Sequence, residues 1–338
     1  LALAVASAIS VGAGAPGTER FIVSAVALAL LAAVVGESSE QVGARFGPGP
    51  TGLLQSTLGN LPELLVAVFA LRLGLTSVVQ AALVGSLLGN VLLVLGSAFL
   101  SGGARHGPQS FPPEAPRMLV TLLTLSVGAL LVPTLATHLS TPAAHHTAGL
   151  SDATAVVLLV VYVASIPFWL SGGPGVPSPF ALASRPWPLP LSLSVLGVAT
   201  LASGPVSEWF VDALRPAASA LGLSQVFTGL VVVAIASNAV EHAVGIRFAW
   251  KAHPDFAIST ILNSSLQVAL LLTPVLVLIS HAVGTAQLTL VFPPLLVAAL
   301  AVAVVVVAVV VYDGEYSWLE GVALVALYVI IATAFWWG

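Results

Sequence analysis

The sequence predicts an all-α membrane protein of about eleven transmembrane helices, and three observations predict it. Hydrophobic residues make up 58% of the 338-residue chain and charged residues only 7%, against roughly 25% charged in a soluble domain. Apolar runs, mostly of 20 residues or more, recur along the whole length, and each is long enough to cross about 30 Å of hydrocarbon as a helix. The runs hold no sustained period of two, and a barrel strand would need only about 9 to 11 residues, so a strand reading fails.

Short clusters of Gly, Pro, Ser and charged residues divide the runs, as in GARFGPGP, SGGARHGPQSFPPEAPR and KAHPD. The expected helices cover residues 1–14, 20–45, 51–73, 76–100, 116–138, 150–171, 188–214, 223–250, 255–281, 286–312 and 316–337. The first is too short to span and reads as a clipped first helix, with a signal remnant as the alternative. The composition breaks most clearly at SGGPGVPSPF, from Ser171. This break divides the chain into a half at 20–171, a Pro/Gly linker at 172–187 and a second half at 188–337.

Eleven spans put Arg45, Arg105, Arg117, Arg185, Arg247 and Lys251 on one side and Arg20, Arg72 and Arg215 on the other. Cytoplasmic loops carry the excess of Lys and Arg, so the N-terminus is expected in the cytoplasm and the C-terminus on the opposite side. The net charge of −4 rests on few ionisable groups, and no basic patch for nucleic acid is present. With no cysteine, the chain has no disulfides, thiolate metal sites or cysteine nucleophiles. HExxH is absent, as is GxSxG in a helix, which argues against an intramembrane hydrolase. No cofactor is expected, and the lipid bilayer is the expected surroundings.

The informative feature is a repeat. GNLPELLVAVFALR (59–72) aligns with SNAVEHAVGIRFAW (237–250), matching Asn60 to Asn238 and Glu63 to Glu241 at an offset of 178. Ser86 and Ser264 keep the same offset, so each half has Asn, then Glu three residues on, then Ser 23 residues later. The two glutamate helices are the third and the eighth, five spans apart, and an odd number inverts the second copy. Inverted repeats are the plan of many secondary transporters, which bind substrate near the midplane where helices are interrupted. In the first half Pro62 supplies an interruption, because it lacks the N–H that the Leu58 carbonyl would use. Val240 stands in the matching place of the second half, so any unwinding there must come from Ser237 and Asn238.

Asn and Glu three residues apart share a helix face, which aims an amide oxygen and a carboxylate at one point. Two such faces make a site for a hard cation from Glu63, Glu241, Asn60 and Asn238. Ser86, Ser264 and Gln267 supply further neutral oxygens or orient the carboxylates, unless they serve only helix contacts. Gly85 and Gly89 allow close approach of a neighbouring backbone. Two ionised carboxylates about 5 Å apart repel by about 3 kcal/mol at an effective dielectric near 20. A divalent cation or protons would relieve that repulsion, which suits an exchanger of a divalent metal for protons. A cation channel is the nearest rival, because carboxylate rings also select cations.

These residues resemble the calcium/proton exchangers of the CAX type, within the calcium:cation antiporter superfamily. The resemblance covers most of the chain and is strongest at 51–96 and at 227–278. It implies an accessory first helix followed by two five-helix halves, metal at Glu63 and Glu241 with Asn60 and Asn238 nearby, and calcium and protons as transported ions. Glu241-His242 is typical of proton-coupled members, whereas sodium-coupled relatives usually have Thr-Ser where this chain has Gly59 and Asn60. Ser237 and Asn263 replace glycines of the family pattern, and the acidic segment often found between the sixth and seventh helices is absent. Manganese accepts similar ligands and is the alternative cargo.

Other polar residues have two readings. His242 lies about 100° around the helix from Glu241 and either tunes it or titrates itself. Glu40 and Glu208 occur in matching Ser-Glu pairs, and the resemblance suggests a shared cytosolic vestibule or proton relay; solvated helix ends are the other reading. His138, His145 and His146 read as a solvated external loop rather than a metal site.

Overall fold

The computed structural model describes residues 16–43, 45–46, 57–170, 187–283 and 285–337, with scattered positions before residue 16. It is almost wholly helical. In chain order the described residues form α1 (Gly17–Gly43), α2 (Leu61–Arg72), α3 (Thr76–His106), β1 (Gln109–Ser110), α4 (Glu114–His138) and α5 (Thr147–Leu170). There follow α6 (Leu189–Leu221), α7 (Gln225–Phe227, Thr228–Val233 and Ala234–Trp250), α8 (Pro254–Val283), α9 (Pro294–Val310), β2 (Glu315–Tyr316) and α10 (Trp318–Ala334).

Among the described residues six helices are long and apolar enough to cross a membrane, and α7 makes a seventh if its two bent parts are one span. α9 and α10 are apolar but have 17 residues each. Of the expected helix at 1–14 only scattered positions are described, and of the linker at 172–187 only Trp187.

α3 and α8 form the centre, with 89% and 61% of their apolar windows buried, while α5 and α6 lie at the periphery at 17% and 22%. Both central helices contain a π-helical turn, Gly89–Val94 in α3 and Val268–Leu272 in α8. These turns nearly coincide under the 178-residue offset. Each inserts an extra residue just beyond the serine that the sequence singled out, as π turns often do at functional sites.

α1 and α6 pack antiparallel. Gly17 sits against Pro216 at one end and Phe21 stacks on Phe210 with centroids 5.0 Å apart. At the other end Arg45 donates to the Trp187 carbonyl at 2.8 Å, and the Trp187 N–H donates to Gln41 Oε1 at 2.9 Å.

Two departures from expectation have clear causes. Helix 286–312 starts eight residues late, at Pro294, because Pro293 and Pro294 fit a helix start but not its interior. The preceding residues run extended, with Leu288, Leu290 and Phe292 buried. Buried non-helical backbone must find partners within the protein. Ser280 Oγ and Ser151 Oγ accept from the N–H groups of Leu288 and Leu290, Thr134 Oγ1 accepts from Phe292 N–H, and Gln80 donates to the carbonyls of Thr289 and Val291. The second departure is the two-stranded ribbon, in which Gln109 pairs with Tyr316 and Ser110 with Glu315. Stacking of Tyr316 on Phe99, centroids 4.0 Å apart, anchors it.

Candidate functional site: a cross-linked pair of carboxylates

A turn at Asn60 separates a short helical stretch at 57–59 from α2. Pro62 falls in the first turn of α2, where its missing N–H leaves no bond unmade. Glu63 therefore stands at a helix N-terminus, whose dipole favours an anion. It is 5% exposed. Ser86 of α3 donates its hydroxyl to Glu63 Oε1. Glu63 Oε2 is buried and has no hydrogen-bond partner among the described residues.

The second carboxylate sits on a bent helix, since α7 turns by 69° between Ala239 and Glu241. Ser237 Oγ donates to the Val233 carbonyl at 2.9 Å and Asn238 Nδ2 donates to the Ala234 carbonyl at 3.0 Å. Side chains that compete for the i−4 carbonyls are a known cause of bending. Glu241 Oε2 accepts from Ser264 of α8 at 2.5 Å. Its Oε1 reaches across to Gly59, 3.1 Å from where a Cβ would stand. Glycine leaves that approach open.

Amides from the opposite half hold both serines. Asn238 Nδ2 donates to Ser86 Oγ at 2.9 Å, and Asn90 Nδ2 donates to Ser264 Oγ at 3.2 Å. Asn60 Nδ2 donates to Gln267 Oε1 at 3.0 Å, a third bond between the halves. The structure thus brings together Asn60, Glu63, Ser86, Asn238, Glu241, Ser264 and Gln267. His242 is buried beside them, with its Cε1 4.0 Å from the Cβ position of Gly89 and its Nε2 unpartnered among the described residues.

Asn90 is the residue that the repeat comparison missed. The position 178 residues later is Val268, so the offset did not mark it. Only its spacing, four residues after Ser86 and so on the same helix face, could have pointed to it.

Glu40 and Glu208 do not share a vestibule. α1 and α6 run antiparallel, with Glu40 near the Trp187 end and Glu208 beside Phe210 at the opposite end, about 28 Å along α6 from its start. His138, His145 and His146 are exposed around the turn Pro142–His146. The described residues contain no group of three His, Cys, Asp or Glu side chains arranged to hold a metal ion. The donors at the centre are therefore two carboxylates with hydroxyl and amide oxygens, a set suited to hard cations.

From Glu63 a narrow crevice runs between α2, α3, α6 and α7 toward the α2–α3 turn. Val66, Ala67, Ala70, Val79, Ala82 and Val211 are among its walls, and beyond Glu63 every lining side chain is apolar.

The family model described as sodium/calcium exchanger protein matches residues 18–170 and 191–337. The Ca(2+)/H(+) antiporter of Synechocystis sp. is 38% identical, with 94% of this chain and 91% of that protein covered. The Ca(2+)/H(+) antiporter ChaA of Bacillus subtilis is 34% identical, covering 95% and 92%. The solved structure of native YfkE superposes with a TM-score of 0.84 at 32% identity, over 99% of this chain and 97% of that one. The H+/Ca2+ exchanger CAX superposes at 0.79 over 98% and 89%, and at 15% identity that likeness is one of fold alone. With the family model matched along nearly its whole length, the chain belongs to the sodium/calcium exchanger protein family.

Proposed function

We propose that this protein is a secondary transporter that exchanges calcium for protons, with Glu63 and Glu241 taking the metal and Asn60 and Asn238 beside them. The observation that carries the reading is the pair of crossed relays, Asn238–Ser86–Glu63 and Asn90–Ser264–Glu241. Each carboxylate is oriented through a hydroxyl that an amide of the other half holds. Movement of one half against the other therefore changes both carboxylates together.

Relatives named Ca(2+)/H(+) antiporter support the choice of ions. The donor chemistry agrees, because calcium accepts a flexible oxygen cage and sheds water more readily than magnesium. Two ionised carboxylates in a buried site repel when nothing neutralises them. One divalent cation or protons relieve this, so the loaded forms cross and the empty ionised form does not. That difference couples the two fluxes.

The same proposal takes the two halves as inverted repeats in an eleven-span plan with a cytoplasmic N-terminus. The near coincidence of the π turns under the offset supports the repeat. Contacts between chain ends support the alternation: Arg45 meets Trp187, Arg105 covers Trp250 and β1 pairs with β2 on one face, whereas Ser224 meets Phe335 and His281 meets Asp152 on the other.

The test is flux into proteoliposomes carrying an imposed pH gradient, with calcium, manganese and sodium offered in turn. Calcium uptake that collapses with the gradient is expected. Uptake that persists without it would identify a channel instead.

A further inference from the structure

α3 ends at His106, with Arg105 and His106 in its last turn, and α7 ends at Trp250, with Arg247 in its last turn. The two ends are packed together: a Cβ on Gly102 would stand 3.1 Å from the Ala249 carbonyl. Beyond that contact the Arg105 guanidinium lies 4.5 Å over the Trp250 ring, and His106 Nε2 donates to the Trp250 carbonyl at 3.0 Å. Arg247, three residues before Trp250, shares its helix face, and Lys251 follows directly as the C-cap of α7.

Arg105, His106, Arg247 and Lys251 are exposed, and Trp250 is 50% exposed. None of Arg105, Arg247 and Lys251 is within ion-pair distance of a carboxylate among the described residues, where the one ion pair joins His281 to Asp152. The acids nearest in sequence or on the neighbouring ribbon are Asp255, in the first turn of α8, and Asp313 and Glu315. Positive charges from two helix ends thus lie near one another with no direct carboxylate partner among the described residues.

We propose that this cluster binds the phosphate headgroup of an anionic phospholipid. A guanidinium held over an indole face can still offer N–H groups to a phosphate, and neighbouring cations add charge-assisted bonds. The half-exposed indole belongs at headgroup depth, where tryptophan is enriched. That placement selects a membrane lipid over free phosphate as the source. The headgroup would tie together the ends of two site helices, since α3 carries Ser86 and Asn90 and α7 carries Asn238 and Glu241. The inference rests on the membrane-spanning reading and not on the transported ion, so its readout is binding rather than flux.

The experiment is thermal unfolding of detergent-solubilised protein titrated with short-chain phosphatidylglycerol, phosphatidylcholine or inorganic phosphate. The expected result is a rise in the melting midpoint with phosphatidylglycerol alone. The concentration needed should increase about tenfold or more in R247Q/K251Q, and R105K should lose part of the response while keeping its charge. R72Q, at the other membrane face, should respond like the unmodified protein. Equal protection by phosphatidylcholine or by inorganic phosphate would overturn the proposal, as would an undiminished phosphatidylglycerol response in R247Q/K251Q.

Discussion

Asn238 donates a hydrogen bond of 2.9 Å to Ser86 Oγ, and Ser86 in turn donates to Glu63. A residue of the second half thus sets the orientation of a carboxylate in the first. Asn238→Ala would leave the Ser86 hydroxyl free to rotate inside a buried site, and losing a buried partner costs about 1–3 kcal/mol. The expected outcome is calcium affinity weakened by about tenfold to a hundredfold, with the helical circular dichroism unchanged. Asn90→Ala should produce a similar loss through Ser264, although the offset of 178 residues never marked it. Calcium titration of the purified variants checks both, and unchanged affinity in either would sink that relay.

Glu63→Gln and Glu241→Gln each remove one of the two charges that would neutralise a divalent ion. Gradient-driven calcium uptake should fall by about a hundredfold or more in either variant, since a hydrogen bond or ligand contact to a charged group contributes about 1.5–3 kcal/mol per interaction and several are lost together. The variants should still elute as folded protein on size exclusion. Exchange at the normal rate would reject the site.

Calcium affinity should depend on pH with a definite sign. At the proposed site protons and calcium would compete for the same carboxylate oxygens, so lowering the pH would fill them with protons that calcium must then displace. The apparent Kd should rise as pH falls, by about tenfold per pH unit for each proton displaced. Isothermal titration in two buffers of different ionisation enthalpy counts the released protons directly. Release of none would separate proton binding from the metal site.

Gly85 and Gly229 meet partner backbone where α3 crosses the π turn of α7. A Cβ on Gly85 would run into the Leu230 carbonyl, and one on Gly229 into the Val78 carbonyl. Neither obstacle is a flexible side chain, so the helices themselves would have to part. Gly85→Val should lower the melting midpoint and the folded yield, by at least the 1–3 kcal/mol typical of overpacking. Gly128→Val, where a Cβ meets nothing within 4 Å, is the control expected to fold normally.

The helices were legible because lipid imposes long apolar runs, and the site was legible because Asn, Glu and Ser stood out within them. Three features were not. Asn90 lies at the entrance of the π turn in α3, and the two halves place their polar residue differently there, Asn90 in one and Gln267 in the other. The extended run Leu288–Phe292 is as apolar as a helix, and only its hydrogen bonds to Ser151, Ser280 and Thr134 reveal it. The positions of Glu40 and Glu208 were not legible because the vestibule reading came from the resemblance alone, while antiparallel packing of α1 and α6 sends the two residues to opposite ends.

The crevice beyond Glu63 has an electrical consequence. Protons hop along chains of hydroxyls and water, and a wall of valine, alanine and leucine side chains provides no rung for such a ladder. A proton leaving Glu63 by this crevice therefore finds no side-chain relay, and any leak on that path must be carried by water alone.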